Sequence, residues 1–296
     1  MTRAAMHEGE VAVDTALVRR LLRAQAPQLA GLAIEPAATF GTVNAVFRLG
    51  DALSVRLPLL EDGVADLDRE AAVQPRLAPL LPLAVPAVVR FGDPDDHYPY
   101  RWAICSWLPG SPLGPPADDH EDIARAEALA GFVAAMRAVD VTGAPRAGRP
   151  PLAELAADTR AALEASVELD RAAALAAWDR ALEAPVWDGR ATWIHADLLP
   201  GNLLATEGRL SGVIDWGAAG TGDPAHDLVP AWAVLGPAGR RAYRERLAPD
   251  DGTWARARGI ALHQAAMAIP YYRDTNPGFA AVCRRTAEQV LLDPEA

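Results

Sequence analysis

The second half of the chain carries two carboxylates and an amide whose spacing suits chemistry on phosphate groups. Residues 195 to 227 read HADLLPGNLLATEGRLSGVIDWGAAGTGDPAHD. An attacking hydroxyl needs a carboxylate that accepts its proton, and Asp197 is suited to that role. Magnesium ions on phosphates need hard oxygen ligands, which Asn202 and Asp215 would supply. The segment therefore predicts magnesium-dependent transfer of a phosphoryl group to a hydroxyl.

The joint pattern is more specific than any of its parts. His195, Asp197 and Asn202 reproduce the H-x-D-x-x-x-x-N spacing of a kinase catalytic loop. Asp215 follows at the end of a second apolar run, and Gly217 opens a glycine-containing loop after it. A lone H-x-D triplet arises by chance. The alternative interpretation is that the three polar residues are only turn and capping residues of a hairpin.

Four neighbouring residues are interpreted as structural supports. Asp223 precedes a proline and is predicted to form a turn or helix N-cap, and Asp227 lies in the first turn of the helix that follows. His195 and His226 are assigned the same supporting role.

These residues resemble the aminoglycoside phosphotransferase family, antibiotic kinases related to choline kinase and more distantly to protein kinases. The resemblance is densest at residues 193 to 235 and extends to residues 41–58, 68–82, 102–110 and 270–277. It implies an α+β, bilobal, protein-kinase-like fold, with a small antiparallel-sheet lobe and a larger helical lobe that hold ATP or GTP between them. We expect a nucleotide-binding lobe at residues 1–107 and a helical lobe with the catalytic loop and substrate pocket at residues 108–296.

Composition agrees with a globular enzyme. The chain has 296 residues, 51% of them hydrophobic, which is enough to fill a sizeable core. Only Cys105 and Cys283 are present, so no disulfide framework is indicated. No apolar run has the length of a membrane span, and the N-terminus lacks the apolar stretch of a signal peptide. We expect a cytoplasmic protein without a membrane partner.

The charge balance excludes one class of partner and suggests another. The net charge of −11 argues against nucleic acid, which requires a basic face. Residues 1 to 107 carry a charge of −3 and residues 108 to 296 carry −8, so a cationic substrate would be drawn to the second part. The alternative is that the acidic helices only keep the protein soluble.

The first lobe is predicted from its local patterns. Asp14 can cap an amphipathic helix, and extended segments follow at residues 32–38, 44–49 and 53–57, with Gly50 and Asp51 in the turn between the last two. Gly41 and Thr42 precede the middle segment, where they could offer donors to phosphates. This segment has one glycine and is not a glycine-rich loop.

All 28 basic residues are arginine, and this matters at one position. A kinase places a lysine on the strand where this chain has Arg56. Arginine keeps its charge and can bind phosphate through two N–H groups, although its reach differs. A general replacement of lysine by arginine would give the same residue without functional meaning. Glu70, on a helix expected at residues 66 to 74, is the proposed partner of Arg56.

Further strands are expected at residues 82–90 and 100–107, and the break that follows them is the predicted hinge. Backbone groups from Ser106 to Leu108 would read the edge of the nucleotide base there. Ile104 and Leu57 are candidates for apolar contact with it.

Beyond the hinge, helices are predicted from Asp118 to residue 138, at residues 152–183 with interruptions, and at 224–235, 237–247, 253–269 and 277–292, with residues 270–272 as a connection. Asp274, Glu245 and Asp250 are available on these late elements to bind a cationic acceptor. The preferred interpretation of each is a solvated surface charge.

We predict a kinase that transfers the γ-phosphate of ATP or GTP to a hydroxyl of a small molecule, an antibiotic of the aminoglycoside-like, cationic amino-sugar type. Alternative acceptors are a macrolide, a nucleoside antibiotic, or a choline-like or other natural-product alcohol. A different class of protein, a nucleotide-binding pseudokinase, is the other alternative. The presence of Asp197, Asn202 and Asp215 speaks against it, because a pure binding module needs no base.

Overall fold

The computed structural model describes residues 9–37 and 43–293. Gly41 and Thr42, the predicted phosphate contacts, lie outside the described residues. The remaining predicted site residues are all within them.

An antiparallel five-stranded sheet forms most of the N-terminal part. Its strands are β1 (Ile34–Pro36), β2 (Asn44–Leu49), β3 (Leu53–Pro58), β4 (Val88–Gly92) and β5 (Trp102–Ser106). Their spatial order is β1-β2-β3-β5-β4. The predicted hairpin of β2 and β3 is confirmed, and Gly50 in its turn has a φ of 59°, a left-handed conformation that glycine adopts without strain.

Alternation along the strands gives this sheet two different faces. One face packs Val55, Leu57 and Ile104 against helix α1 (Thr15–Gln25), whose apolar residues recur with helical spacing. Asp14 caps α1 through a hydrogen bond from the Leu17 amide, as predicted. Residues of the opposite register, including Arg56, face the helical part of the molecule.

Helix α2 (Asp62–Leu77) connects the sheet to the rest of the core. It is longer than predicted at both ends, and it continues past Pro75. A proline in the last turn removes only one hydrogen bond, and Leu77 is fully buried beyond it, so packing maintains the helix. Leu67 contacts the sheet through Ala103, whereas Val73 and Leu77 belong to the large helical core.

The C-terminal part is mainly helical and contains two small sheets. Its helices are α3 (Asp119–Arg137), α4 (Ala156–Ala165), α5 (Arg171–Leu182), α6 (Pro230–Ala233), α7 (Pro237–Leu247), α8 (Asp251–Tyr272) and α9 (Pro277–Leu291). Its strands are β6 (Ser111–Pro112), β7 (Trp193–Ile194), β8 (Leu203–Thr206), β9 (Arg209–Val213) and β10 (Gly220–Thr221). β6, β8 and β9 form one sheet, and β7 pairs with β10.

Two of the late elements differ from prediction. The expected helix at 224–235 is a 3₁₀ turn, Pro224–Leu228, followed by the short α6. The expected connection at 270–272 is instead the last turn of α8. Pro270 removes only one hydrogen bond at this position, and the helix before it is held in the core by buried residues such as Ile269. No helix of the described residues, α8 included, is long and apolar enough to cross a membrane.

The predicted boundary at residue 107 falls between β5 and β6. The division into a nucleotide-binding lobe and a catalytic lobe stays a prediction.

Candidate active site

A cavity of about 390 Å³, called here the larger cavity, lies between the five-stranded sheet and the helical part. Arg56 lines it from β3, and Asn202 and Asp215 line it from the opposite side. Ser106 and Leu108, the predicted hinge contacts, are also on its wall. The structure thus brings together five predicted residues that are far apart in sequence.

Two residues predicted to contact a nucleotide base do not line this cavity. Leu57 and Ile104 are fully buried on the other face of the sheet, against α1. Each is one residue away from a residue on the cavity wall, Arg56 in β3 and Cys105 in β5. Because side chains alternate along a strand, a shift of one residue changes the face.

A buried network joins α2 to the cavity. Glu70, with no exposed surface, accepts a hydrogen bond from Arg56 Nη1 at 2.5 Å and another from the Trp216 amide at 3.1 Å. Arg56 Nη2 also lies 3.4 Å from Asp215 Oδ1. Burial lowers the pKa of Arg56, but Glu70 and Asp215 raise it overall, so the guanidinium stays charged. Burial raises the pKa of Glu70 to about 7, and Arg56 opposes that shift.

Asp197 lies beyond β7 with both carboxylate oxygens engaged. Oδ2 accepts a hydrogen bond from Asn202 Nδ2 at 2.7 Å, and Oδ1 accepts one from Arg149 Nη2 at 3.1 Å. Its side chain is 24% exposed. Burial raises the pKa of Asp197 above its ordinary value, while the charge of Arg149 lowers it. Arg149 therefore helps to keep this carboxylate ionised.

Arg149 is a site residue that the sequence analysis missed. It comes from the irregular segment between α3 and α4, and its Nε also donates to the carbonyl of Ala196 at 3.1 Å. It lines a second cavity of about 240 Å³, called here the smaller cavity. No motif or periodicity in the sequence marks this arginine, because only tertiary contacts bring it to Asp197.

The backbone before Asp197 is held by Asp227. Ala196 has a φ of 66°, a left-handed conformation that strains a residue with a side chain. Asp227 is fully buried, and its two oxygens accept hydrogen bonds from the amides of His195 at 2.9 Å and Ala196 at 2.8 Å. The Tyr243 hydroxyl donates to the carbonyl of Asp227 at 2.6 Å. These bonds offset the strain at Ala196 and orient Asp197.

Replacing Asp227 by Asn should destabilise the protein. The side chain of asparagine accepts hydrogen bonds through one oxygen only. Its NH₂ group would face the backbone N–H of His195 or Ala196, and that buried N–H would lose its hydrogen-bond acceptor. We expect the free energy of unfolding to fall by about 1–3 kcal/mol. Denaturant titration measures it, with Asp179→Asn, in an exposed ion pair with Arg160, as the control. An unchanged free energy of unfolding would contradict the assigned contact.

His195 lies in the core behind the loop. It is fully buried, its Nδ1 accepts a hydrogen bond from the Asp197 amide at 3.3 Å, and its ring packs edge-on against Trp216. Burial lowers its pKa to about 4, so the ring is neutral at physiological pH. Its contacts are with backbone and core rather than with either cavity.

Asp215 follows β9 at the edge of the larger cavity. Its backbone is left-handed, with φ at 65°, which aspartate tolerates better than most residues. Two residues on, a Cβ at Gly217 would lie 2.7 Å from the Cβ of Asp66, so only glycine lets α2 pack this closely. The side chain of Asp215 remains 38% exposed.

Asn202 and Asp215 fit the donor set that magnesium prefers. Asn202 uses its NH₂ group on Asp197, and its Oδ1 has no partner in the described part of the chain. A carboxylate and an amide oxygen therefore line one cavity as hard ligands, and magnesium completes such sets with phosphate oxygens and water.

Asp223 caps the 3₁₀ turn through the Ala225 amide. It also forms a bidentate ion pair with Arg256, with N···O distances of 2.7 and 3.1 Å. Asp223 is thus held by structural contacts on both sides.

Fold and site together define a class. A small antiparallel sheet packs beside a larger helical part, and the cavity between them is lined by the carboxylate of Asp215 and by Asn202, whose amide binds Asp197. Kinase-like phosphotransferases use this combination of residue types. A sequence model of the phosphotransferase enzyme family matches residues 37–260, and the chain belongs to this family. It is a phosphotransferase with an alcohol group as acceptor.

Solved structures with the same fold include kinases of two antibiotic classes. The GDP and kanamycin complex of APH(2")-IIia has a TM-score of 0.74 and 19% identity, covering 93% of this chain and 98% of that chain. The macrolide 2'-phosphotransferase MphH from Brachybacterium faecium has a TM-score of 0.59 and 24% identity, covering 96% and 99%. ADP-bound APH(2'')-Ib has a TM-score of 0.61 and 16% identity, covering 94% and 97%. At these identities the likeness shows the fold alone. No curated protein sequence gives a significant match.

Proposed function

We propose that this phosphotransferase moves the γ-phosphate of ATP or GTP to a hydroxyl of a small molecule, an antibiotic or related natural product. The observation that carries the proposal is the position of Asp197, whose Oδ2 binds Asn202 on the larger cavity and whose Oδ1 binds Arg149 on the smaller one. A base between two cavities suits a reaction that transfers a group from a substrate in one cavity to a substrate in the other.

In the proposed reaction, Asp197 accepts the proton of the acceptor hydroxyl as its oxygen bonds to the γ-phosphorus. The bond from the γ-phosphorus to the bridging oxygen breaks, and ADP or GDP leaves. Asn202 and Asp215 would hold magnesium, which neutralises charge on the phosphates. Arg149 keeps Asp197 oriented and ionised until the proton arrives.

The larger cavity is the proposed nucleotide site. Arg56 would contact the α- and β-phosphates, with Glu70 fixing its guanidinium. Ser106 and Leu108 lie where the base would meet the hinge. Under this proposal residues 1–107 act mainly as the nucleotide lobe and residues 108–296 as the catalytic and acceptor lobe.

The acceptor is the finer part of the proposal. Among proteins of this fold, one was solved with kanamycin and another is a macrolide kinase. The overall charge of this chain favours a cationic amino sugar, and a macrolide or another natural-product alcohol is the alternative.

A screen for ADP and GDP release tests the function. The purified protein with each nucleotide and magnesium is offered aminoglycosides, macrolides, nucleoside antibiotics and choline-like alcohols, and products are identified by an added phosphate mass. Acceptor-dependent release supports the proposal. Magnesium-independent nucleotide binding without transfer to any acceptor would favour the pseudokinase.

Arg56→Ala should weaken nucleotide binding about tenfold or more, since a charge-assisted hydrogen bond is lost, and Arg56→Lys should keep part of the affinity. Titration calorimetry with a non-hydrolysable analogue measures this. Arg48→Ala is the matched control, because Arg48 also lines the larger cavity but bonds to the Gly50 carbonyl and Asp51. Equal affinity in wild type and Arg56→Ala would remove the phosphate anchor from the proposal.

A further inference from the structure

The smaller cavity lies on the side of Asp197 away from the nucleotide site and has an apolar body. Pro151, Leu152, Leu182, Val186 and Trp187 are among its walls. Its polar lining is concentrated in three arginines, one aspartate and one histidine: Arg146, Arg149, Arg256, Asp223 and His226. The sign of the charge in this cavity decides which acceptor it suits.

Among the described residues, no carboxylate that lines the smaller cavity is free to bind a cation. Asp223, the carboxylate on its wall, is engaged by Arg256 through two hydrogen bonds. Asp197, next to it, is engaged by Arg149. His226 is buried, and burial lowers its pKa to about 4, so it adds no charge.

Positive charge, by contrast, is in excess. Arg146 lines the cavity, its side chain is exposed, and it has no carboxylate partner in the described part of the chain. Arg149 carries four N–H groups beside the one that it gives to Asp197, and within residues 9–37 and 43–293 one of these four is used, on the Ala196 carbonyl. Two guanidinium groups can therefore turn donors toward a ligand.

The segment that carries both arginines is firmly placed. The amide of Thr221 donates to the Pro145 carbonyl at 2.8 Å, and the Ala147 amide donates to the Thr221 carbonyl at 2.9 Å. A Cβ at Gly220 would lie 2.5 Å from the Ala147 nitrogen, so glycine there permits the close approach. The segment is thus fixed to β10, beyond the catalytic loop.

The late acidic residues do not change this balance. Glu245 and Asp274 are exposed and are absent from the walls of the smaller cavity, and Asp250 caps α8 through Thr253. The charge of −8 in residues 108 to 296 therefore does not describe the lining of this cavity.

We propose that the smaller cavity selects an alcohol with an apolar body and an acidic group, which Arg146 and Arg149 bind, rather than a polycationic amino sugar. The inference rests on the proposed function for the transfer step. The charge of the cavity lining thus predicts an acidic alcohol, whereas the overall charge of the chain predicts a cationic amino sugar.

Matched acceptor pairs test the selection. Hydroxy acids with phenyl or branched alkyl bodies are compared with their primary amides and with kanamycin, at fixed ATP and magnesium. We expect kcat/KM for the best acid to exceed that for its amide by roughly tenfold or more, and kanamycin to fall below both. Equal values for acid and amide, or kanamycin as the best acceptor, overturn the inference.

Arg146→Glu should raise KM for the acid and remove the difference between acid and amide, with little change in KM for ATP. The control is Arg171→Glu, which makes the same change in net charge at an exposed position at the start of α5. If both variants lose the difference between acid and amide, the cause is the change in net charge and not the position of Arg146. A rise in the KM for ATP alone would assign the arginine to the nucleotide. Either result contradicts the inference.

Equilibrium binding separates this inference from the proposed function. Calorimetry of acid and amide with ADP and magnesium needs no turnover. Selective acid binding that Arg146→Glu abolishes, without transfer, would sustain the cavity assignment and defeat the transfer function. Phosphorylation of kanamycin, with equal binding of acid and amide, would sustain the transfer function and defeat the cavity assignment.

Discussion

Asp215→Ala should abolish phosphoryl transfer while the protein remains folded. Asp215 is half-exposed at the edge of the larger cavity, and its left-handed backbone aims a carboxylate at the place where the phosphates would lie. Loss of this ligand would leave charge developing between the β- and γ-phosphates without its counter-ion, and electrostatic stabilisation of that kind contributes about 10²–10³ or more in turnover. Turnover with the identified acceptor measures the effect.

The controls separate a metal role from a structural one. Circular dichroism must show a folded variant, because a role as a turn or cap residue would appear as lost stability instead. Asp215→Ala and Asn202→Ala should both lose magnesium-dependent nucleotide affinity. Glu207 is an exposed carboxylate in the β8–β9 turn, and Glu207→Ala should keep that affinity. Full turnover in Asp215→Ala would exclude it as a metal ligand.

Asp197→Asn should reduce turnover by on the order of 10²-fold or more, because the amide keeps the size of the side chain but cannot accept the proton. Nucleotide affinity should change little, since Asp197 does not line the larger cavity. Steady-state kinetics and nucleotide titration give the two quantities. Turnover within a few-fold of wild type would reject the base assignment.

The ion pair with Arg149 provides the matched control for this variant. Arg149→Ala breaks the same contact as Asp197→Asn but leaves the carboxylate in place. We expect Arg149→Ala to lose less turnover than Asp197→Asn and to raise the KM for the acceptor as well. An equal loss of turnover in both variants would assign the effect to the ion pair rather than to the base.

Local signals made much of the fold predictable. The turn at Gly50 and the alternating residues around it specify the β2–β3 hairpin, and Asp14 specifies the start of α1. Family resemblance then paired Arg56 with Glu70, two residues that the structure joins. These features depend on residues near in sequence or on a known motif.

What could not be predicted depends on tertiary contacts. Arg149 reaches Asp197 from 48 residues away in an irregular segment. The continuation of α8 to Tyr272 was also missed: its apolar residues are buried as far as Ile269, and Pro270 in the last turn removes only one hydrogen bond. Total charge gave no measure of the charge inside the smaller cavity, because arginines bind both Asp223 on its wall and Asp197 next to it.

Glu70 has a consequence for how the site assembles. One buried carboxylate accepts hydrogen bonds from the guanidinium of Arg56 and from the amide of Trp216, so the proposed phosphate contact and the segment after Asp215 are both bound to α2 through Glu70. An outward movement of α2 would break both hydrogen bonds to Glu70, so we expect the positions of Arg56 and of the segment after Asp215 to be coupled. We expect the Trp216 amide proton to be protected from exchange with solvent, and its degree of protection to report the opening of its hydrogen bond to Glu70.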